Sequence, residues 1–193
     1  MAGNGITSIQ MKLTGLAPVL MHNGRLANPF DEYAQLMKEL TAPKKKTDEQ
    51  HRQISKVEWE GGLYVYDGKI GFPADVIWAT GYEGSKNSKL GEKYKAGVVE
   101  EGEFFPLEYE GAKDPKKLFE DKQFVYIKMV RVGRSRVPRT RAIFRQWSVK
   151  VGVMVMNEVM NPKDVIKAFE DAGRLKGVGD WRPRFGRFSV EAV

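Results

Sequence analysis

The residues in this sequence best suited to chemistry are arginines clustered in one segment that contains no acid. Between Asp121 and Glu158 there is no aspartate or glutamate, whereas residues 122–157 carry nine lysines and arginines. The whole chain has a formal charge of +7, so everything outside this segment sums to −2. Six of the nine are arginine, whose planar guanidinium binds phosphate oxygens in pairs. The predicted phosphate ligands are Arg131, Arg134, Arg136, Arg139, Arg141, Arg145 and Lys150.

A solvated strand face is the alternative explanation for this run of charge. A merely solvated face normally mixes acidic residues with basic ones, and this segment contains none. Uncompensated guanidinium groups repel one another, so a bound polyanion would stabilise the fold that holds them. We expect that polyanion to be single-stranded nucleic acid. Each contacted phosphate would then add about −0.7 to the slope of log affinity against log salt concentration.

A glycine-rich stretch, Gly177–Phe188, is the second candidate site. Its glycines allow backbone amides to approach a phosphate closely, and its aromatic side chains offer faces on which bases stack. The competing interpretation is a tight turn from helix to strand that tucks Trp181 and Phe188 into the core. The predicted ligands in this stretch are Arg182, Arg184, Phe185 and Arg187.

Further candidates lie outside these two stretches. Arg25 follows the first predicted strand, and Lys86 and Lys89 lie in a loop rich in glycine, serine and lysine. His22 is close to Arg25, where one imidazole suits proton transfer during attack by a ribose 2′-hydroxyl. No second base is evident, because His51 falls on a polar helix. A loop histidine that stacks or hydrogen-bonds is the alternative.

Composition excludes several other kinds of site. The sequence has no cysteine, which removes disulfides, thiolate metal centres and thiol nucleophiles. Two histidines are too few for a multi-histidine metal cage. The segment Gly81–Lys86 resembles a phosphate loop but lacks the GxxxxGK[ST] spacing, so we predict no nucleotide hydrolysis. No cofactor and no metal are expected.

The sequence gives no indication of a membrane or secretory destination. Residues 1–5 carry no basic stretch followed by an apolar block. The longest apolar runs are only a few residues, whereas a bilayer span needs about 20. We therefore expect a cytoplasmic protein without a membrane partner.

The elements that must position these residues are strands and helices in alternation. Asn28-Pro29 and Asn161-Pro162 each predict a helix start, with an N-cap followed by proline. Gly133–Thr140 is rich in glycine, serine, proline and arginine, and is expected to be a loop or hairpin tip. Alternation and strand-forming residues predict four strands, over about 6–13, 124–132, 147–155 and 185–190.

Residues 44–120 differ in sequence pattern from the rest of the chain, and we interpret them as an inserted lobe. The core is then formed by residues 1–43 and 121–193. Without the insertion the element order is βαββαβ. This order predicts an α+β protein with a ferredoxin-like sheet, one face of which is exposed. RNA-recognition modules bind nucleic acid on such a face. The lobe is expected to contain helices over about 47–58 and 74–79, a hairpin turning at Asp67-Gly68, a loop over 81–91 and a strand near 104–109.

The glycine-rich turn Gly177–Phe188, between the second helix and the last strand of such a fold, resembles the RAMP superfamily of CRISPR proteins. The long basic connection between the two central strands looks like the thumb hairpin of that superfamily's backbone subunits. The lobe at 44–120 falls where those subunits carry extra lobes. Arg182-Pro183 and Gly186–Phe188 are also similar to uncharacterised phage and prophage proteins, which implies a bacterial cell or a phage-infected host.

This resemblance implies an oligomer that coats a single strand of nucleic acid through 134–141 and 177–187, with neighbouring subunits completing each site. Lys86 and Lys89 would add contacts to the strand's backbone. Some members of the superfamily cleave RNA without metal, using a histidine near the position of His22.

Three functions follow from these observations. The first is non-enzymatic binding of single-stranded nucleic acid, RNA or DNA, by a self-associating protein of a CRISPR-like or phage system. The second is a metal-independent endoribonuclease that uses His22. The third is a phage protein that mimics a CRISPR subunit and whose basic segment meets an acidic protein surface.

Overall fold

Ten strands and six α-helices make up residues 5–193, the part of the chain that this computed structural model describes. The protein is α+β, with a mostly antiparallel sheet. The strands are β1 (Ile6–Gly15), β2 (Val19–Met21), β3 (Val65–Tyr66), β4 (Lys69–Pro73), β5 (Val98–Glu100), β6 (Phe104–Glu108), β7 (Val125–Val132), β8 (Ser135–Phe144), β9 (Ser148–Met156) and β10 (Phe188–Ala192). The helices are α1 (Glu32–Thr41), α2 (Asp48–Gly61), α3 (Ala74–Ser85), α4 (Gly91–Gly97), α5 (Pro115–Glu120) and α6 (Pro162–Asp171). Within residues 5–193, no helix has the length and apolar character needed to cross a membrane.

The main sheet has the strand order β10-β1-β9-β6-β4-β3, and β5 also pairs with β9. All of these pairs are antiparallel. β1 and β9 form its centre because alternate residues of both strands are apolar and buried, among them Ile9, Met11 and Leu13 on β1. Helices α3 and α6 contribute Ile77 and Phe169 to the same core, so they cover this face of the sheet.

A second, three-stranded sheet of order β2-β8-β7 carries the arginine-rich segment. β7 and β8 pair from Val125–Ala142 to Val132–Ser135, which leaves only Gly133 and Arg134 in the turn. Of the two structures expected for Gly133–Thr140, the hairpin is confirmed and the loop is wrong, because the residues from Ser135 onward belong to β8. Gly133, with a φ of +58°, reverses the chain within two residues, so β8 starts at once. We call β7, β8 and their turn the basic hairpin.

One predicted helix start is confirmed and the other is displaced. Asn161-Pro162 opens α6, with the Asn161 side chain accepting a hydrogen bond from the backbone N–H of Lys163. Asn28-Pro29 does not open α1, which begins at Glu32. The N-cap there is Asp31, whose carboxylate accepts a hydrogen bond from a backbone N–H in the first turn of α1.

The segment 44–120 contributes to the same sheet and core as the rest of the chain. Its helix α3 packs on α6, and its strand β6 pairs with β9. The loop expected over 81–91 is wrong in its first half, because α3 continues to Ser85. A Cβ at Gly84 would lie 1.8 Å from the carbonyl oxygen of Ala168 on α6, so glycine is required where the two helices touch.

Candidate nucleic-acid interface

The tip of the basic hairpin carries three exposed arginines. Arg131 and Arg136 face each other across the strands, and Arg134 lies in the turn between them. Arg131 Nε donates a hydrogen bond to the carbonyl oxygen of Gly133, at 3.0 Å, which holds its guanidinium beside the turn. Throughout residues 5–193, no carboxylate oxygen lies within 4.0 Å of these three guanidinium groups. The tip therefore presents uncompensated positive charge to solvent.

The base of the same hairpin is different, because its two arginines are paired with carboxylates. The Arg141 side chain is 7% exposed; its Nη1 donates to Glu58 Oε1 at 2.9 Å and its Nε to Asp180 Oδ2 at 2.9 Å. Arg139 Nη1 also donates to Glu58 Oε1, at 3.3 Å. The expectation that Arg139 and Arg141 lack counterions is wrong: distant parts of the chain supply the acids.

This ion-pair cluster joins three separate parts of the fold. Glu58 belongs to α2 and Asp180 to the glycine-rich stretch, while Arg141 belongs to β8. The second oxygen of Glu58 accepts the backbone N–H of Thr140 at 2.8 Å, so at this position α2 covers the side of β8 that faces away from β7. Both oxygens of Glu58 and Oδ2 of Asp180 accept hydrogen bonds, which offsets the cost of burying these charges. Arg141 is therefore committed to holding the hairpin onto the body of the protein.

Aromatic and basic side chains alternate beside this cluster. Tyr126 on β7 contacts Trp181 and Phe185, with ring centroids 5.7 and 5.5 Å apart. Lys128 Nζ lies 5.3 Å from the Trp181 ring, and the Arg184 guanidinium 5.9 Å from that of Phe185. Trp181, expected in the core, is only half-buried, whereas Phe185 is buried against the hairpin. Tyr126 and Trp181 are both half-buried, so part of each ring remains open for stacking.

The glycines of the 177–188 stretch are explained by packing against the protein itself. Gly186 donates its N–H to Pro18 and accepts from the N–H of Val178, and the N–H of Asp180 donates to Leu20. These amides are occupied by carbonyl oxygens, so they do not form a phosphate cradle. The interpretation as a tight turn accounts for the backbone of the stretch. Its arginines are exposed: Arg182, Arg184 and Arg187.

Three predicted ligands lie away from the basic hairpin, and two of them have partners of their own. Arg25 Nε donates to Asp31 Oδ2 at 2.8 Å, near the start of α1. Lys86 pairs with Glu83, and its Nζ lies 4.3 Å from the ring of Tyr82. Lys89 is exposed shortly after the end of α3, on the side of the main sheet that the helices cover. The structure does not bring these residues into the surface that the hairpin forms.

The two remaining predicted ligands, Arg145 and Lys150, lie beyond the base of the hairpin. Arg145 is exposed at the turn between β8 and β9 and donates to the carbonyl oxygen of Gln123. Lys150 lies on the open face of the main sheet, 3.7 Å from Glu108. The hydrogen bond from the Ser148 hydroxyl lowers the pKa of Glu108 below its usual value, and the charges of Lys150 and Lys12 lower it further. Partial burial acts in the opposite direction but does not cancel this shift. Glu108 thus neutralises charge on this face.

The open face of the main sheet is a poor stacking platform. Its two central strands present Ser8, Gln10, Lys12 and Thr14 from β1, and Ser148, Lys150, Gly152 and Met154 from β9. None of these is aromatic, whereas sheet-face recognition of RNA relies on aromatic residues. The hairpin, and not this sheet face, carries the aromatic and basic residues together.

A cleft that the sequence did not indicate lies between α1, α2 and the basic hairpin. Its volume is 780 Å³, and both histidines of the chain, His22 and His51, line it. Burial, together with the nearby Arg141 guanidinium, lowers the pKa of His22. His22 Nδ1 is buried and has no hydrogen-bond partner within residues 5–193. Helical spacing places His51 and Glu58 on one face of α2, but no local signal in the sequence links that face to His22.

The described residues hold no group of three or more histidine, aspartate or glutamate side chains arranged to bind a metal ion. No family model matches this chain, and no curated protein matches it.

Proposed function

We propose that this protein binds single-stranded nucleic acid through the tip of the basic hairpin and the aromatic surface at its base. The observation that carries the proposal is the exposed group Arg131, Arg134 and Arg136, which has no carboxylate nearby and lies at the end of a two-stranded hairpin. Phosphates would contact these arginines. Bases would stack on Trp181 and Tyr126, because aromatic faces accept any base.

We further propose that the main sheet is ferredoxin-like and related to the RAMP superfamily. Support comes from the order β1, α3, β6, β9, α6, β10 along the chain, which is a βαββαβ sequence. In the sheet β9 lies between β1 and β6, and β1 lies between β9 and β10. The basic hairpin is inserted between β6 and β9, and the glycine-rich stretch joins α6 to β10, in keeping with the resemblance seen in the sequence. The crossover helix is then α3, within 44–120, and not α1.

Self-association along the bound strand belongs to the same proposal. β7 is the last strand of its sheet, so its outer edge is unpaired within residues 5–193. Ile127 and Met129 on this strand are 57% and 55% exposed. An exposed, apolar edge strand favours pairing with another chain. Light scattering with and without a single-stranded oligonucleotide tests whether the protein assembles.

The test of binding is a variant in which Arg131, Arg134 and Arg136 are all alanine. We expect its affinity for a fluorescent oligonucleotide to fall roughly ten-fold or more in 0.1 M salt. The salt slope should become shallower by about 2, because three phosphate contacts are lost. The matched control replaces three exposed lysines of α4 and α5 with alanine: Lys93, Lys116 and Lys117. Equal affinity of the two triple variants would refute the proposal.

A metal-independent endoribonuclease is the second candidate, and one observation favours it. His22 and His51 line the same cleft, together with Arg139, so a second imidazole, which the sequence did not indicate, belongs to the same site. Burial lowers the pKa of His22, which keeps the ring neutral and able to accept a proton. Cleavage of an RNA in EDTA, abolished by His22→Ala with binding retained, would establish this function. Intact RNA after prolonged incubation would exclude it.

A further inference from the structure

The cleft between α1, α2 and the basic hairpin is elongated. α1 lines it with Ala34, Met37, Lys38 and Thr41, and α2 lines it with His51, Ile54 and Glu58. Each of these stripes extends over about 10 Å, at a helical rise of about 1.5 Å per residue. The cleft volume of 780 Å³ falls within the range of about 300–1,000 Å³ typical of small-molecule pockets.

The two ends of the cleft differ in character. A Cβ at Gly61 would lie 2.9 Å from the Cβ of Tyr33, so the end of α2 adjoins the start of α1 and the two helices are antiparallel. The short loop between them therefore places Thr41, Lys46 and His51 together, and we call this the loop end. We call the opposite end, lined by His22, Glu58 and Arg141, the base end.

The walls between these ends are aliphatic. They include Leu26, Met37, Ile54, Val137 and Pro138, and the lining contains no phenylalanine, tyrosine or tryptophan of the described chain. Flat bases are typically held on aromatic faces, which this cleft lacks. A saturated chain gains instead from each methylene that the walls remove from water.

The backbone of β8 does not accept an added peptide strand on this side. Thr140 directs its N–H away from β7, to Glu58 at 2.8 Å. The backbone of Pro138, two residues earlier on the strand, faces the same way. Proline has no N–H, and the N–H of Thr140 is already taken, so an incoming strand would find neither donor. The cleft therefore suits a small molecule better than a peptide.

The loop end carries positive charge without a counterion. Lys38 and Lys46 both line the cleft, and Lys46 Nζ donates to the carbonyl oxygen of Pro43 at 2.7 Å. Within residues 5–193, no carboxylate oxygen lies within 4.0 Å of either ammonium group. The one acidic residue of the lining, Glu58, lies at the base end and is bound by Arg141. An anionic group is thus favoured at the loop end.

The base end contains an unsatisfied polar atom. His22 Nδ1 is buried and has no hydrogen-bond partner within residues 5–193. Burial and the Arg141 guanidinium lower the pKa of His22, so its ring is neutral at pH 7. A buried polar group without a partner is costly, and a ligand hydroxyl, which both donates and accepts, would satisfy this nitrogen in either tautomer.

We propose that this cleft binds a small aliphatic hydroxy acid. The carboxylate lies near Lys38 and Lys46, and the saturated chain lies between Met37 and Ile54. The hydroxyl at the far end of the chain bonds to His22 Nδ1. An extended chain of about eight carbons has the length of the cleft, since each C–C bond measures about 1.5 Å. This small-molecule site does not depend on the proposed binding of nucleic acid.

The hydroxyl gives the inference a test by sign. Protein labelled with ¹³C-histidine and free of nucleic acid is titrated with 8-hydroxyoctanoate and with octanoate. We expect 8-hydroxyoctanoate to bind at least about three-fold more tightly, because a hydroxyl buried without a partner would weaken binding. 6-Hydroxyhexanoate should bind about ten-fold more weakly than 8-hydroxyoctanoate, since two methylenes are lost. Octanoate as the tighter ligand would overturn the proposal.

Three variants test the two ends of the cleft. His22→Phe should reverse the order of 8-hydroxyoctanoate and octanoate. Replacing Lys38 and Lys46 together with alanine should weaken 8-hydroxyoctanoate by about three- to ten-fold, as two exposed ion pairs are lost. The matched control replaces Lys44 and Lys45, which do not line the cleft, and should bind as the unmodified protein does. Thermal melting confirms that each variant is folded.

The remaining outcomes are decided by the two histidines, which line opposite ends of the cleft. Both ring signals should move with 8-hydroxyoctanoate and saturate at one dissociation constant. Acetate at the same concentration should leave them in place; an equal response would reduce the cleft to a simple anion site and overturn the proposal. Signals that stay still with 8-hydroxyoctanoate also overturn it. The hairpin function is judged separately, by the oligonucleotide titration of the tip variant.

Discussion

The tip and the base of the basic hairpin are built from the same residue type and have different surroundings. At the tip, Arg131, Arg134 and Arg136 are exposed without a carboxylate nearby, whereas at the base Arg139 and Arg141 share Glu58. A run of like charge along a sequence is therefore not one functional unit. The acids that neutralise part of it come from segments far away in the chain. The tip retains the electrostatic imbalance that a phosphodiester strand would relieve.

The largest effect expected from this difference is on stability. Arg141→Ala removes the ion pair of the half-buried Asp180 and leaves the buried Glu58 with Arg139 as its remaining ion-pair partner. Removing one member of a buried pair costs about 3–5 kcal/mol. We expect urea denaturation to show a loss of that size in the free energy of unfolding. Arg136→Ala, at the tip, should change it by less than about 0.5 kcal/mol. Equal losses in the two variants would mean that tip and base do not differ in this way.

A second pair of substitutions compares the two glycine turns. At Gly186, where φ is +73°, a Cβ would lie 1.7 Å from the carbonyl oxygen of Val178, whereas at Gly133, where φ is +58°, nothing lies within 4 Å. Asparagine tolerates a positive φ, so the two substitutions differ only in the room available for the new side chain. We expect Gly186→Asn to lower the free energy of unfolding by at least about 2 kcal/mol and Gly133→Asn by less than about 0.5 kcal/mol. Differential scanning calorimetry measures both.

The aromatic surface at the base allows stacking to be separated from charge. Trp181→Ala should weaken binding of a single-stranded oligonucleotide by about 1–3 kcal/mol, because one stacked base loses its platform. The salt slope should stay unchanged, since no charge is removed, whereas it becomes shallower in the tip variant. Trp181→Phe keeps an aromatic face and should retain most of the affinity. A shallower slope for Trp181→Ala would show that the two contributions are not separable.

The smallest expected effect is the contribution of His22, near Arg141 at the base of the basic hairpin, to the pH dependence of stability. Burial and the Arg141 guanidinium lower its pKa below the ordinary 6.5, so the unfolded chain binds a proton that the folded chain does not. Stability should therefore fall as the pH drops through about 6.5, and level off below the folded pKa. Replacing His22 with asparagine should remove this part of the pH dependence. A folded-state NMR titration of His22 at or above 6.5 would contradict the assignment.

The sequence predicts those parts of the molecule that depend on local pattern. Alternation identifies β1 and β9, and Asn161-Pro162 marks the start of α6, because side-chain period and capping are properties of neighbouring residues. The pairing of Arg141 with Glu58 and with Asp180, 83 and 39 residues away, is set by tertiary packing, and no local pattern contains it. One signal was present: Glu58 lies between Val57 and Trp59, two apolar residues that become buried.

The position of β1 in the middle of the main sheet has a consequence for biosynthesis. Its two partners are β9 and β10, whose residues begin at Ser148 and Phe188, so both leave the ribosome long after β1 does. Until then the apolar side chains of β1 have no sheet to join, and pairing across so long an interval is slow. A nascent chain stalled before Ser148 would present those side chains to chaperones or to other nascent chains. Folding of the main sheet is thus an event that follows synthesis of most of the chain.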